Sequence, residues 1–109
     1  MNEQPIDWNV FYLLCSAQVF FSDKQNWCSG AWHRADYACC SLGYGVMQFY
    51  SGGALKNDRL EVEEYNVHLH KAATELGYGN AICLNDSGGW EKTKEMIDLA
   101  LENFIHGHH

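Results

Sequence analysis

The feature that most restricts the fold is a run without a formal charge, WNVFYLLCSAQVFF, from Trp8 to Phe21. Its 14 residues, interrupted by Asn9, Ser16 and Gln18, are too few to cross a bilayer, which takes about 20 apolar residues. On a helical wheel the apolar side chains surround the axis almost completely. That is the pattern of a helix covered on most sides by others, so the run is expected to be a central, buried helix. Asp7 stands where an N-cap belongs and Pro5 marks the lead-in. The turn-rich stretch SDKQNWCSG, Ser22 to Gly30, ends the helix.

Three further helical segments are expected around it. From Trp32 to Tyr50, a stripe of Trp32, Ala35, Cys39, Leu42, Val46, Phe49 and Tyr50 faces the core. The opposite side carries His33, Tyr37, Cys40, Ser41, Tyr44 and Gln48. Gly43 and Gly45 weaken this helix by about 1 kcal/mol each relative to Ala. Next, Asp58 and Glu61 form a capping-box start, and Val62, Tyr65, Leu69, Ala72, Ala73 and Leu76 share a face up to Gly77, a C-terminal stop. In the last helix Trp90, Thr93, Ile97, Ala100, Leu101 and Phe104 face inward, with Asp86 or Ser87 as cap.

The expected fold is therefore all-α, a single-domain bundle of about four helices over residues 1–109, with His106 to His109 read as a flexible tail. The alternative is α+β, with short strands at GVMQF (45–49) and AICL (81–84). A 109-residue chain that is 47% apolar and 14% aromatic has enough apolar area for one packed core.

Charge is distributed unevenly along the chain. The formal net charge is -7, which opposes direct binding to phosphate backbones or anionic lipid. Residues 1–56 carry four acids and three bases, whereas residues 57–109 carry ten acids and four bases. On the last helix Glu91, Glu95, Asp98 and Glu102 recur at i, i+4, i+7 and i+11, one continuous ridge opposite the apolar stripe. Leu99 lies beside it as an expected exposed apolar contact. Glu61, Glu64 and Glu75 share a face with His68.

Five cysteines, an odd number without framework spacing, and a start lacking signal-peptide features point to free thiols in the cytoplasm. There is no CxxC or HxxxH, and the alternative set of zinc ligands is Cys28, His33 and Cys40, which could converge in the fold. His68 and His70 point about 160° apart on a helix and cannot chelate from one face. A thiol nucleophile would be Cys40, with His33 as base and Tyr37 and Tyr44 beside it; two helical turns, about 10 Å, separate His33 from Cys40, too far for direct proton transfer. The run NDSGG, Asn85 to Gly89, shares Asp86 to Gly89 with the serine-nucleophile loop of trypsin-like proteases. Asn85 and Trp90 stand in the flanking places, so it reads as a helix-capping loop.

With no complete catalytic set and no expected cofactor, the leading expectation is a small acidic, non-enzymatic interaction module. Its partner is a basic protein, and the contact residues are Glu91, Glu95, Asp98, Leu99, Glu102, Tyr37 and Tyr44. Inhibition of a nucleic-acid-binding partner, as by a phage anti-defence or toxin-neutralising protein, is the form this takes. The rival is a thiol- or metal-dependent enzyme centred on Cys40 and His33. A third reading is a homodimer joined through Tyr37, Tyr44 and Trp27.

Overall fold

A computed structural model of the chain describes residues 8–29, 44 and 59–106, and for 59–61 the backbone alone. Three long helices account for most of these residues: α1 (Trp8–Phe20), α2 (Arg59–Glu75) and α3 (Gly89–His106). A 3-10 turn (Lys24–Asn26) follows α1, and a short helical turn (Ala81–Cys83) and a π-helical turn (Leu84–Gly88) join α2 to α3. No strand occurs among the described residues. The all-α expectation holds, with three long helices among the described residues; the helix expected from Trp32 to Tyr50 lies outside them except for Tyr44. Residues 81–84, the alternative strand AICL, are helical because Asn80 Oδ1 accepts from Cys83 N at 2.8 Å and so starts a turn. The other alternative strand, 45–49, lies outside the described residues, as do Asp7 and Asp58.

Each long helix packs against the other two. From α1 come Val10, Leu13, Leu14 and Ala17, followed by Phe21 just past its end; α2 gives Val62, Tyr65, Leu69, Ala72 and Ala73; α3 gives Thr93, Met96, Ile97 and Ala100. The stripes read from periodicity on α2 and α3 supply the buried residues of those two helices except Met96, which they missed, while Leu76, Trp90, Leu101 and Phe104 of the same stripes are half-buried. The expectation for α1 needs correction. One stripe of it stays open to water, for Trp8, Tyr12 and Val19 remain 66%, 46% and 71% exposed. A helix that is apolar all round has no polar face to declare which side is wet, so its pattern could not reveal the exposed side.

The ends of the helices are closed by local hydrogen bonds. Asn26 Nδ2 donates to Phe20 O at 2.8 Å, satisfying a carbonyl at the end of α1. Asp23 accepts from Gln25 N at 2.9 Å. At the end of α2, Tyr78 N donates to Ala73 O and Gly77 N to Thr74 O, each at 3.0 Å, with Gly77 at φ 94°. This is a Schellman closure, which requires a left-handed residue and so a glycine. Asp86 and Ser87, expected caps of α3, sit inside the π turn instead; α3 starts at Gly89, whose φ of 84° and ψ of -172° only glycine adopts cheaply. The C-terminal end of α3 includes His106, which the sequence had suggested belonged to a tail.

One buried polar side chain joins these pieces. The wider π turn brings consecutive residues Leu84 and Asn85 both to the interior, Asn85 at 1% exposure. Asn85 Nδ2 donates to Cys28 O at 3.0 Å and to Asp86 Oδ1 at 3.2 Å. Its Oδ1 accepts from Trp27 Nε1 at 3.0 Å and Thr93 Oγ1 at 3.3 Å. All four hydrogen-bonding positions of the amide are filled. The network thus joins the segment after α1, the π turn and α3. Replacing Asn85 with leucine would leave Trp27 Nε1 and the Cys28 carbonyl without this partner. The expected loss is about 2–4 kcal/mol of stability, from desolvated groups left unpaired. A urea midpoint within experimental error of the unaltered chain would refute the role given to this network.

Candidate functional site

The acidic ridge of α3 is formed as the spacing implied. Glu91, Glu95, Asp98 and Glu102 are all exposed, because the side that packs inward is centred on Thr93, Met96, Ile97 and Ala100. Glu91 also lies in the first turn, where the partial positive charge of the helix N-terminus favours a carboxylate. Three of the four acids hold neighbours. Lys92 Nζ lies 2.8 Å from Glu95 Oε1, Lys94 Nζ lies 3.5 Å from Glu91 Oε1, and Gln18 Nε2 donates to Asp98 Oδ1 at 2.8 Å. Exposed ion pairs of this kind contribute only about 0–1 kcal/mol, so they are readily exchanged for a partner's cations. The Glu95 contact raises the Lys92 ammonium pKa above its ordinary range, first by hydrogen bonding and then by charge. Lys94 Nζ also lies 3.7 Å from the centre of the Trp90 ring. Trp90 Nε1 donates to Phe21 O at 2.8 Å, fixing the start of α3 against the end of α1.

Two of the expected contact residues are placed otherwise. Tyr44, assigned to the outward side of its segment, is 4% exposed and helical. Its ring packs 4.9 Å from Phe20, 5.9 Å from Phe21 and 6.5 Å from Tyr65, centroid to centroid. Aromatic pairs add about 0.5–1.5 kcal/mol beyond the area they bury, which explains why this ring belongs with α1 and α2. Leu99 is partly buried against the core rather than standing free beside the ridge. At 100° per residue it lies on the α2 side of α3, where Asn103 Nδ2 donates to Glu75 Oε2 at 2.9 Å.

Among the cysteines, Cys28 is buried, Cys15 half-buried and Cys83 exposed, all three as free thiols. Burial pushes the Cys15 thiol pKa up, so it stays protonated and weakly nucleophilic at neutral pH. His33, Tyr37 and Cys40 lie outside the described residues. Of the enzyme reading's four residues only Tyr44 can be located, and it is in the core; of the suggested zinc trio only Cys28 can be, and it too is buried. No three His, Cys, Asp or Glu side chains among the described residues are grouped to hold a metal ion. Two residues of the third reading's dimer contact can be located, and neither stands open to a second copy. Trp27 is partly buried with its indole tied to Asn85, and Tyr44 is enclosed.

The two histidines of the HxH on α2 serve separate neighbours, as their helical spacing implied. His70 Nδ1 accepts from Ala81 N at 3.1 Å and fastens the turn after α2. His68 stacks edge-on against Phe104, 5.0 Å between centroids, and its Nε2 lies 3.8 Å from Glu64 Oε2. Burial lowers the His68 pKa below 6.5, outweighing the Glu64 charge that raises it, while the Lys71 charge adds to the lowering. The folded chain therefore favours the neutral ring. As pH falls through about 6.5, the unfolded chain takes up the proton first and stability declines until the folded pKa is passed. Urea midpoints at pH 7.5 and 5.5 are expected to fall less for His68→Gln than for the unaltered chain. An equal fall in both would disprove the assignment.

What reading along the sequence missed is the exposed side of α1. Trp8, Tyr12, Cys15 and Val19 are spaced 4, 3 and 4 residues apart and fall within about 60° on the wheel. That spacing was present in the sequence, hidden by the equally apolar side behind it. Among the described residues no helix is long and apolar enough to cross a membrane. Comparison with known protein families, with curated proteins and with solved structures finds nothing that matches this chain.

Proposed function

We propose that the chain is a non-enzymatic interaction module whose α3 ridge docks on a basic surface of another protein. The observation that carries this reading is the exposure of Glu91, Glu95, Asp98 and Glu102 along a single side of α3. They run for about three turns, roughly 16 Å. The helix that bears them is anchored at its start by Trp90 and by the Asn85 network and along its length by the core, so the backbone that carries the carboxylates is a rigid rod. A rigid rod needs no backbone ordering on binding. In a chain of net charge -7 it also attracts a lysine- or arginine-lined groove over distance and speeds encounter. Occupying such a groove would exclude a phosphate polymer from it. That gives the module an inhibitory action on a nucleic-acid-binding partner.

The test uses the full chain as bait in an extract of its native host, beside a Glu95→Lys/Glu102→Lys variant. Neither substituted side chain is buried, so the variant is expected to keep its fold, as helical circular dichroism would show. The unaltered chain should retain a basic protein whose dissociation constant rises at least about tenfold between 50 and 300 mM salt. The variant should lose it. Retention by both baits with no salt dependence would overturn the proposal.

A further inference from the structure

The exposed side of α1 has a different character from the ridge: none of its own residues is charged, and its flanking Gln18 reaches across to the ridge's Asp98. Trp8, Tyr12 and Val19 are 66%, 46% and 71% exposed, with half-buried Cys15 between the last two. The flanking positions on the wheel are Phe11, Asn9, Ser16 and Gln18, and no residue of α1 carries a formal charge. Trp8 rests edge-on against Phe11, ring centroids 5.6 Å apart, which orients it on the surface. We propose that this stripe is the interface of a homodimer in which α1 packs antiparallel on α1 of a second copy.

Three observations select a second copy as the occupant. The first is the spacing. A twofold axis crossing α1 between Leu13 and Leu14 sets Trp8 against Val19 of the other copy and Tyr12 against its Cys15. Each large ring then meets a small side chain, and the stripe is complementary to itself, as an isologous contact requires. Steps of 4, 3 and 4 residues are also those of a two-helix seam, and antiparallel packing opposes the helix dipoles.

The second is charge. A basic partner gains nothing from an uncharged face, and an interfacial membrane helix carries lysine or arginine on its polar side, of which α1 has none. Two copies that each carry -7 repel, and a face free of carboxylates is where they meet at least cost. The third is area. The three exposed side chains offer roughly 400 Å² per copy. With the flanking residues, two copies bury about 1,000–1,200 Å² in total, the lower end of a specific interface. An interface of that size is expected to give a weak, reversible dimer.

This inference does not depend on the α3 ridge, and salt separates the two. Raising the salt concentration screens repulsion between like copies and should tighten the dimer, whereas it weakens docking of a basic partner. The experiment is sedimentation equilibrium of the full chain under reducing conditions, from about 1 to 500 μM, at 50 and 300 mM salt. Expected is a monomer–dimer equilibrium that tightens with salt and weakens at least tenfold in Val19→Asp, which would bury a carboxylate, and in Trp8→Ser. The Glu95→Lys/Glu102→Lys variant should dimerise at least as well as the unaltered chain. Val19 and Trp8 are exposed in one copy, so both variants should keep the helical signal and melting temperature of the monomer.

A chain that stays monomeric across the range, or a dimer indifferent to both substitutions, would overturn the proposal. The register has its own check. Mild oxidation of Tyr12→Cys should link that residue to Cys15 of the second copy, identified by peptide mass mapping. In Trp8→Cys, a link from residue 8 of one copy to residue 8 of the other would exclude the antiparallel arrangement, which sets those two positions about 16 Å apart along the seam.

Discussion

The buried amide of Asn85 is the interaction on which the arrangement of the described elements depends. Hydrophobic contact alone would hold α1, α2 and α3 together, since it is indifferent to direction. It would not say how the connection between α2 and α3 must run. A fully buried amide does, because each unmet donor or acceptor costs a desolvation penalty that only correct geometry removes. Trp27, Cys28, Asp86 and Thr93 supply that geometry from three separate parts of the chain. The π turn is the local distortion that makes it possible, turning Asn85 inward immediately after Leu84.

From this anchor follows the position of α3, and with it the division of the surface. The same rotation that points Thr93, Met96, Ile97 and Ala100 at the core sends the four carboxylates outward. Trp90 fixes the start of α3 to the end of α1, while Gln18 and Asp98 join the two helices further along. One surface region thus combines a charged ridge with a neighbouring uncharged stripe. The two differ in what they attract: charge acts at range and is screened by salt, whereas the apolar stripe acts only on contact.

The aromatic residues carry a second lesson about the middle of the chain. A stretch rich in cysteine, tyrosine and tryptophan suggests chemistry, yet those of its residues that can be located serve packing. Tyr44 completes a cluster with Phe20, Phe21 and Tyr65, Trp27 tethers Asn85, and Cys28 is enclosed. Aromatic density is what a core of only 109 residues needs, because each ring removes a large apolar area from water.

Much of this was legible in the sequence wherever one face of a helix is polar. The stripes of α2 and α3, the Gly77 stop, the divergence of His68 from His70 and the acidic ridge all follow from a 3.6-residue period acting on sharply amphipathic segments. Where both faces are alike, the period carries no information about direction. For α1 only the tertiary structure decided which side is wet; it also turned Tyr44 inward and half-covered Leu99, because neighbouring rings and α2 offered them cover. Asn85 is the clearest case. Its type and position in NDSGG were compatible with an ordinary capping loop, and only partners that lie 57 and 58 residues earlier in the chain make it the buried centre of the fold. Local sequence records the periodicity of an element, but hydrogen bonds between distant segments exist only once the chain has brought them together.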